Sequence, residues 1–165
     1  MNNMGTLDVT TPSDREIVMT RVFDAPRTLV FDAWTKPELV RQWLTGPPGW
    51  TMVVCEIDLR VGGHYRHMLR NADGAELGWG GVYREIAPPE RLVTTELFDE
   101  DWTGGETLVT LVLTEEGGST TVTMTVLYSS REARDGAMKT GMEEGMVMGY
   151  DRLAELLASM MAERG

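Results

Sequence analysis

The chain has 165 residues, a hydrophobic content of 42% and a formal net charge of −11. That length fits a single domain, and that apolar fraction is enough for a sizeable core, which excludes global disorder. The acidic excess is spread rather than blocked, with Asp99-Glu100-Asp101 the longest run. It excludes nucleic acid and anionic membrane surfaces as partners, since both need clustered Lys and Arg. Cys55 is the single cysteine, so no internal disulfide and no C-x-x-C motif can form. No apolar run nears the ~18 residues of a membrane span, and no signal-peptide pattern opens the chain. A reduced, soluble, cytoplasmic protein is expected.

Met1 to Ser13 is small, polar and unpatterned, and reads as a loose segment before one domain over residues 14–165. Glu16 to Phe23 is rich in β-branched and apolar residues and reads as a strand that ends at Asp24-Ala25-Pro26. Pro26 suits the first turn of a short helix with Leu29, Val30, Phe31 and Trp34 on its apolar face. Thr35-Lys36-Pro37-Glu38 has capping-box spacing and opens a second short helix burying Leu39, Val40 and Trp43. Gly46-Pro47-Pro48-Gly49 stops it.

From Trp50 the apolar period becomes two. Val53, Cys55, Ile57 and Leu59 fall on one side of a strand. After Gly62-Gly63, Tyr65, His67 and Leu69 share the more apolar side of the next, and Leu77, Trp79, Gly81 and Tyr83 alternate beyond Asn71-Ala72-Asp73-Gly74. Leu92 to Phe98, Thr107 to Thr114 and Thr120 to Tyr128 complete a meander punctuated by Pro88-Pro89, Gly104-Gly105 and Glu116-Gly117-Gly118-Ser119. Short turns and alternation predict an antiparallel sheet with one face covered.

Ser129-Ser130-Arg131-Glu132 has capping-box spacing and predicts one long helix to the C-terminus. Met138, Met142 and Met146 recur on it every four residues beside Gly141, Gly145 and Gly149. Each interior glycine costs a helix about 1 kcal/mol relative to alanine. A stripe of three therefore signals either close backbone approach or the wall of a cavity, and methionine makes a soft surface in either case.

Arg21-Val22-Phe23-Asp24-Ala25-Pro26-Arg27, Val30-Phe31-x-Ala33-Trp34 and Pro37-Glu38-Leu39 through Trp43 share their order and spacing with one family. So do Asp58-Leu59-Arg60-Val61-Gly62-Gly63, Gly81-Val82-Tyr83-Arg84-Glu85-Ile86 with Pro89-Glu90-Arg91-Leu92, and Gly145-Met146 through Tyr150-Asp151-Arg152-Leu153. From about Asp14 to Leu157 the chain resembles the bacterial members of the activator-of-heat-shock-protein-ATPase homologue (AHSA-type) family. That family lies within the START-like, SRPBCC, Bet v allergen-like superfamily. The resemblance implies an α+β helix-grip fold: a curved antiparallel sheet around a long C-terminal helix, with an apolar cavity between. Many members carry tryptophan where this chain has Met146, so the cavity's shape is expected to differ.

Few residues suggest chemistry. His67 faces the same side as Tyr65 and can orient a ligand, act as acid or base, or be a hydrogen-bonded interior histidine. His64 falls on the opposite face, and no metal-ligand spacing or phosphate loop occurs, so neither metal nor cofactor is expected. Asp58 and Arg60 read as an ion pair fixing their hairpin. Trp34, Trp43, Trp50, Trp79 and Trp102 lie near predicted element ends, and Trp43 and Trp50 flank the Gly-Pro-Pro-Gly loop. With Tyr65, His67, Trp79, Met124, Met142, Met146 and Tyr150 they make a candidate ligand site, apolar with few polar groups. Three functions fit: a non-catalytic binder of a hydrophobic lipid or aromatic metabolite, a co-chaperone-like module for a chaperone or other protein, and a cyclase- or hydratase-type enzyme using His67 or Tyr65. A monomer or homodimer suits each.

Overall fold

The computed structural model describes residues 6–101 and 104–164. Eight strands, β1 (Asp8–Thr10), β2 (Glu16–Phe23), β3 (Trp50–Ile57), β4 (His64–Asn71), β5 (Glu76–Ala87), β6 (Arg91–Phe98), β7 (Thr107–Glu116) and β8 (Ser119–Leu127), form one sheet in the order β1-β2-β8-β7-β6-β5-β4-β3. Each neighbouring pair is antiparallel. Helices α1 (Arg27–Thr35) and α2 (Pro37–Trp43) follow β2, and α3 (Arg131–Met138) and α4 (Met142–Arg164) close the chain. This is an α+β architecture with the helix-grip arrangement. The long helix packs with α1 and α2 on the sheet's inner face.

β2 shows how the pattern is made: Ile17, Met19, Arg21 and Phe23 point inward and are buried, and the residues between them are not. One apolar cluster joins Phe23, Trp43, Leu69, Trp79 and Leu111 to Tyr150, Leu153 and Leu157 of α4. A second joins Ile17, Met19, Val109, Val126 and Tyr128 to Ala137 of α3.

Four local expectations are corrected. Asp8–Thr10 is an edge strand, not loose chain, with Val9 opposite Met19. An edge position asks only for backbone pairing on one side, so it needs no apolar alternation. In β3 the buried residues are Met52 and Cys55, because a bulge between Met52 and Val54 inserts a residue and turns Val53 off the inner row. Leu59 lies beyond the strand and is 41% exposed.

Neither predicted capping box forms. Thr35 ends α1 with its hydroxyl donating to the Phe31 carbonyl at 2.8 Å, and α2 starts from Lys36 with proline at its first position. Ser130, one residue later than predicted, accepts from the Ala133 amide at 3.0 Å, while the Ser129 hydroxyl donates to the Gly104 carbonyl.

The predicted single C-terminal helix is two. Gly141 takes a φ of +79°, the left-handed conformation glycine adopts without a Cβ penalty, and separates α3 from α4. Met138 therefore ends α3, 41% exposed, and does not share a stripe with Met142 and Met146. By contrast, Arg60 does pair with Asp58, at 2.8 Å on the surface of the hairpin.

Candidate functional site: a cavity under the start of the long helix

Between α4 and the sheet lies a cavity of about 280 Å³. Its floor is the inner face of the strands: Tyr65 and His67 from β4, Trp79 and Tyr83 from β5, Leu92, Thr94, Glu96 and Phe98 from β6, and Val109 and Leu111 from β7. Met19, Met124, Val126 and Tyr128 continue that floor toward β2 and β8. Trp34, Val40, Trp43 and Leu44 from the two short helices close one side. Met142, Gly145, Met146, Gly149 and Tyr150 form the roof.

The roof is what makes the space. A Cβ placed on Gly145 or Gly149 would meet nothing within 4 Å. The two glycines therefore face open volume, which removes the close-approach explanation of the stripe.

Eight of the nine residues singled out from the sequence stand along this wall: Trp43, Tyr65, His67, Trp79, Met124, Met142, Met146 and Tyr150. Trp50 does not. It opens β3 at the far edge of the sheet, opposite Asn71, and packs partly buried near Gly46 and Leu69. Trp102 lies outside the described residues.

The aromatic groups hold one another. Trp43 donates its indole N–H to the Ala33 carbonyl at 2.9 Å, with its ring 4.9 Å from Trp34 and 6.2 Å from Tyr150. On the floor, His67 lies 5.3 Å from Tyr65 and 5.5 Å from Trp79, centroid to centroid. Tyr65 donates its hydroxyl proton to the Thr95 carbonyl at 2.7 Å, and the Tyr128 hydroxyl meets the Met142 sulfur at 3.9 Å.

Electrostatics follow from burial. Burial, helped by the Arg41 charge, lowers His67 to about 4, so the ring is neutral near pH 7. Its Nδ1 has no hydrogen-bond partner among the described residues. The phenols of Tyr65, Tyr83 and Tyr150 are all pushed upward by burial, and that of Tyr128 to about 12. The Tyr150 hydroxyl is also buried, with no partner among the described residues.

Glu96 is the residue sequence reasoning passed over. Burial alone pushes its carboxyl up to about 7. The available signal was a charge within the period-two row Leu92-Thr94-Glu96-Phe98, but nothing in the strand's own pattern says which row faces in.

No helix among the described residues is long and apolar enough to cross a membrane. No group of three or more His, Cys, Asp or Glu among them is placed to hold a metal ion.

The comparisons agree with this geometry. Residues 24–158 match the family model described as Activator of Hsp90 ATPase homolog 1-like protein. A crystal structure of a Rhodobacter sphaeroides protein is similar at 35% identity and a TM-score of 0.88, covering 93% of this chain and 98% of that one. A solution structure of a Staphylococcus epidermidis protein is similar at 28% identity and a TM-score of 0.78, covering 92% and 94%. CalU16 from Micromonospora echinospora, at 23% identity and a TM-score of 0.61 over 96% and 87% of the chains, shares the fold. No curated protein matches the chain significantly. With most of its length inside the matched region and a helix-grip architecture to go with it, the chain belongs to the Activator of Hsp90 ATPase homolog 1-like family.

Proposed function

We propose that this protein binds a hydrophobic small molecule in the cavity beneath α4 and does not transform it. The observation that carries this reading is the empty-sided roof: two helical glycines, Gly145 and Gly149, with no atom within 4 Å of where a Cβ would stand. Tyr65, Trp79 and Tyr83 line the floor of the same cavity, so the lining suits an aromatic or alicyclic body. At about 280 Å³ the volume suits a compact aromatic metabolite or a short acyl chain rather than a whole phospholipid.

Affinity has a ceiling. Burying ~300 Å² of apolar ligand surface at about 25 cal/mol per Å² gives a gross gain near 7 kcal/mol. Association costs several kcal/mol of that, so micromolar binding is the ceiling for a purely apolar ligand and the range just below millimolar is expected.

Catalysis is less well supported. His67 is neutral but a weak base, and Tyr65 already gives its proton to a backbone carbonyl. Neither is tuned for proton transfer near neutral pH.

Native mass spectrometry of the purified protein, with fluorescence titrations using myristate and naphthalene derivatives, tests the reading. Trp43 and Trp79 are the expected reporters, so Trp50→Phe should keep the signal and Trp43→Phe should reduce it. His67→Ala should leave much of the affinity intact. Should neither a bound mass nor a fluorescence change be seen, the small-molecule reading fails, and the protein-partner reading suggested by the family's name replaces it.

A further inference from the structure

We propose that the ligand carries a basic nitrogen, and that Glu96 is its counter-ion inside the cavity. The proposal rests on the small-molecule reading above and names the chemical class of the molecule.

Glu96 sits in the middle of β6 on the row Leu92-Thr94-Glu96-Phe98, all four of which line the cavity. No side chain among the described residues gives its carboxylate a hydrogen bond or an ion pair. No described Lys or Arg lines the cavity at all. The contrast with the rest of the molecule is plain. Asp58, Glu76, Glu85 and Asp99 each face an arginine at the surface. Glu96 is half-buried on the cavity wall and is left without a cation, an arrangement that is costly unless something else supplies the charge.

No hydroxyl or imidazole of the described wall hydrogen-bonds the carboxylate. Tyr65 spends its proton on the Thr95 carbonyl, and the Tyr128 hydroxyl is turned to the Met142 sulfur. Burial is the main reason both phenols are pushed upward, and the nearby Glu96 charge adds to it. A ligand can therefore bring the donor that the wall leaves unmade. The same surroundings favour a cation over a neutral donor, because Tyr65, Tyr83, Trp79 and Tyr128 line the cavity and aromatic rings attract cations over their faces. An ammonium beside Glu96 would meet a carboxylate and several π faces together, and its apolar body would fill the space under Gly145 and Gly149.

Three probes with one ring system separate the terms: 2-(1-naphthyl)ethylamine, 2-(1-naphthyl)ethanol and 1-naphthylacetate, titrated by calorimetry at about pH 8. The wild-type chain should bind the amine about 10- to 100-fold more tightly than the alcohol, the worth of a charge-assisted hydrogen bond, and the acetate most weakly. In Glu96→Gln the amine's advantage should collapse toward parity, with the alcohol's affinity kept. Equal binding of amine and alcohol by the wild type overturns the proposal and leaves the hydrophobic reading standing. An amine preference that persists in Glu96→Gln also overturns it, since the chain's overall charge of −11 would then be the cause. If none of the three binds, both readings fall together.

Discussion

The two halves of α4 are built for different purposes. From Tyr150 onward its inward residues are sealed: Tyr150, Leu153 and Leu157 are at most 2% exposed and interlock with Phe23, Trp43 and Leu111. From Met142 to Gly149 none of its residues is fully buried, and the inward positions are two glycines and two methionines above open volume. One helix thus anchors the fold at one end and roofs a cavity at the other. Side-chain size along a single helical stripe controls the change, with tyrosine and leucine where contact is wanted and glycine where space is.

The largest effect separating the halves should come from truncation. Leu153→Ala removes a fully enclosed side chain and should cost about 2–5 kcal/mol of unfolding free energy. Met146→Ala acts on a side chain that already borders empty space, so few contacts disappear with it, and its cost should stay under about 1.5 kcal/mol. Denaturant melts of both variants check the contrast. Equal losses would mean that the two ends of α4 are packed alike.

The sheet was legible in the sequence where a row of side chains alternates without interruption, as in Glu16 to Phe23 and Tyr65-x-His67-x-Leu69. It was misread where a backbone irregularity shifts the row. The bulge at Val53 brings Met52 and Cys55 inward together, and no residue type announces it. The helix break has a similar origin. Gly141 was visible as one of three glycines at equal spacing, yet of the three only Gly141 adopts a positive φ, and residue type alone does not say which one will. Adjacent serines made the cap ambiguous by one residue, and Ser129 was claimed by the Gly104 carbonyl. For the cavity wall, aromatic and methionine residues were legible by type, whereas Trp50, on the edge strand, packs against the core without reaching the cavity. Glu96 was missed because charge is ordinarily a surface signal.

A second, pH-dependent difference should appear within the cavity itself. A carboxyl raised to about 7 from an ordinary 4.5 keeps its proton in the folded chain after the unfolded chain has lost it, so Glu96 lowers stability progressively as pH rises through that window. His67, depressed to about 4 from 6.5, works in the opposite sense: the unfolded chain takes up the proton first, and stability falls as pH drops from about 6.5 to about 4. Each effect is worth up to about 3 kcal/mol, and the two slopes oppose one another where their windows overlap. Glu96→Gln should leave His67 alone, giving stability that climbs with pH up to about 6.5 and exceeds the wild type by about 1–3 kcal/mol at about pH 8. His67→Gln should leave the opposite slope. Stability measured in urea across this range checks both, and a Glu96→Gln profile parallel to the wild type would show that the carboxyl is solvated rather than enclosed.

The smallest free-energy change is the sharpest probe of the roof. Gly145 lies inside α4 with open space where a Cβ would go, so Gly145→Ala should gain up to about 1 kcal/mol from helix propensity alone. Gly141 has nothing closer than a Glu144 oxygen at 3.5 Å, yet its φ of +79° strains any L side chain, so Gly141→Ala should lose about 1–2 kcal/mol. Two glycines four residues apart, each with room beside it, should respond with opposite signs. Gly145→Leu extends the same logic to binding. Its side chain should enter the cavity without a clash, hold the unfolding midpoint near that of the wild type, and block uptake of the naphthalene probes. Loss of stability in Gly145→Leu would mean that the roof closes onto the floor, since overpacking is what a filled core punishes. Retained stability with retained uptake would move the ligand away from α4, to the part of the floor nearest Trp79 and Phe98.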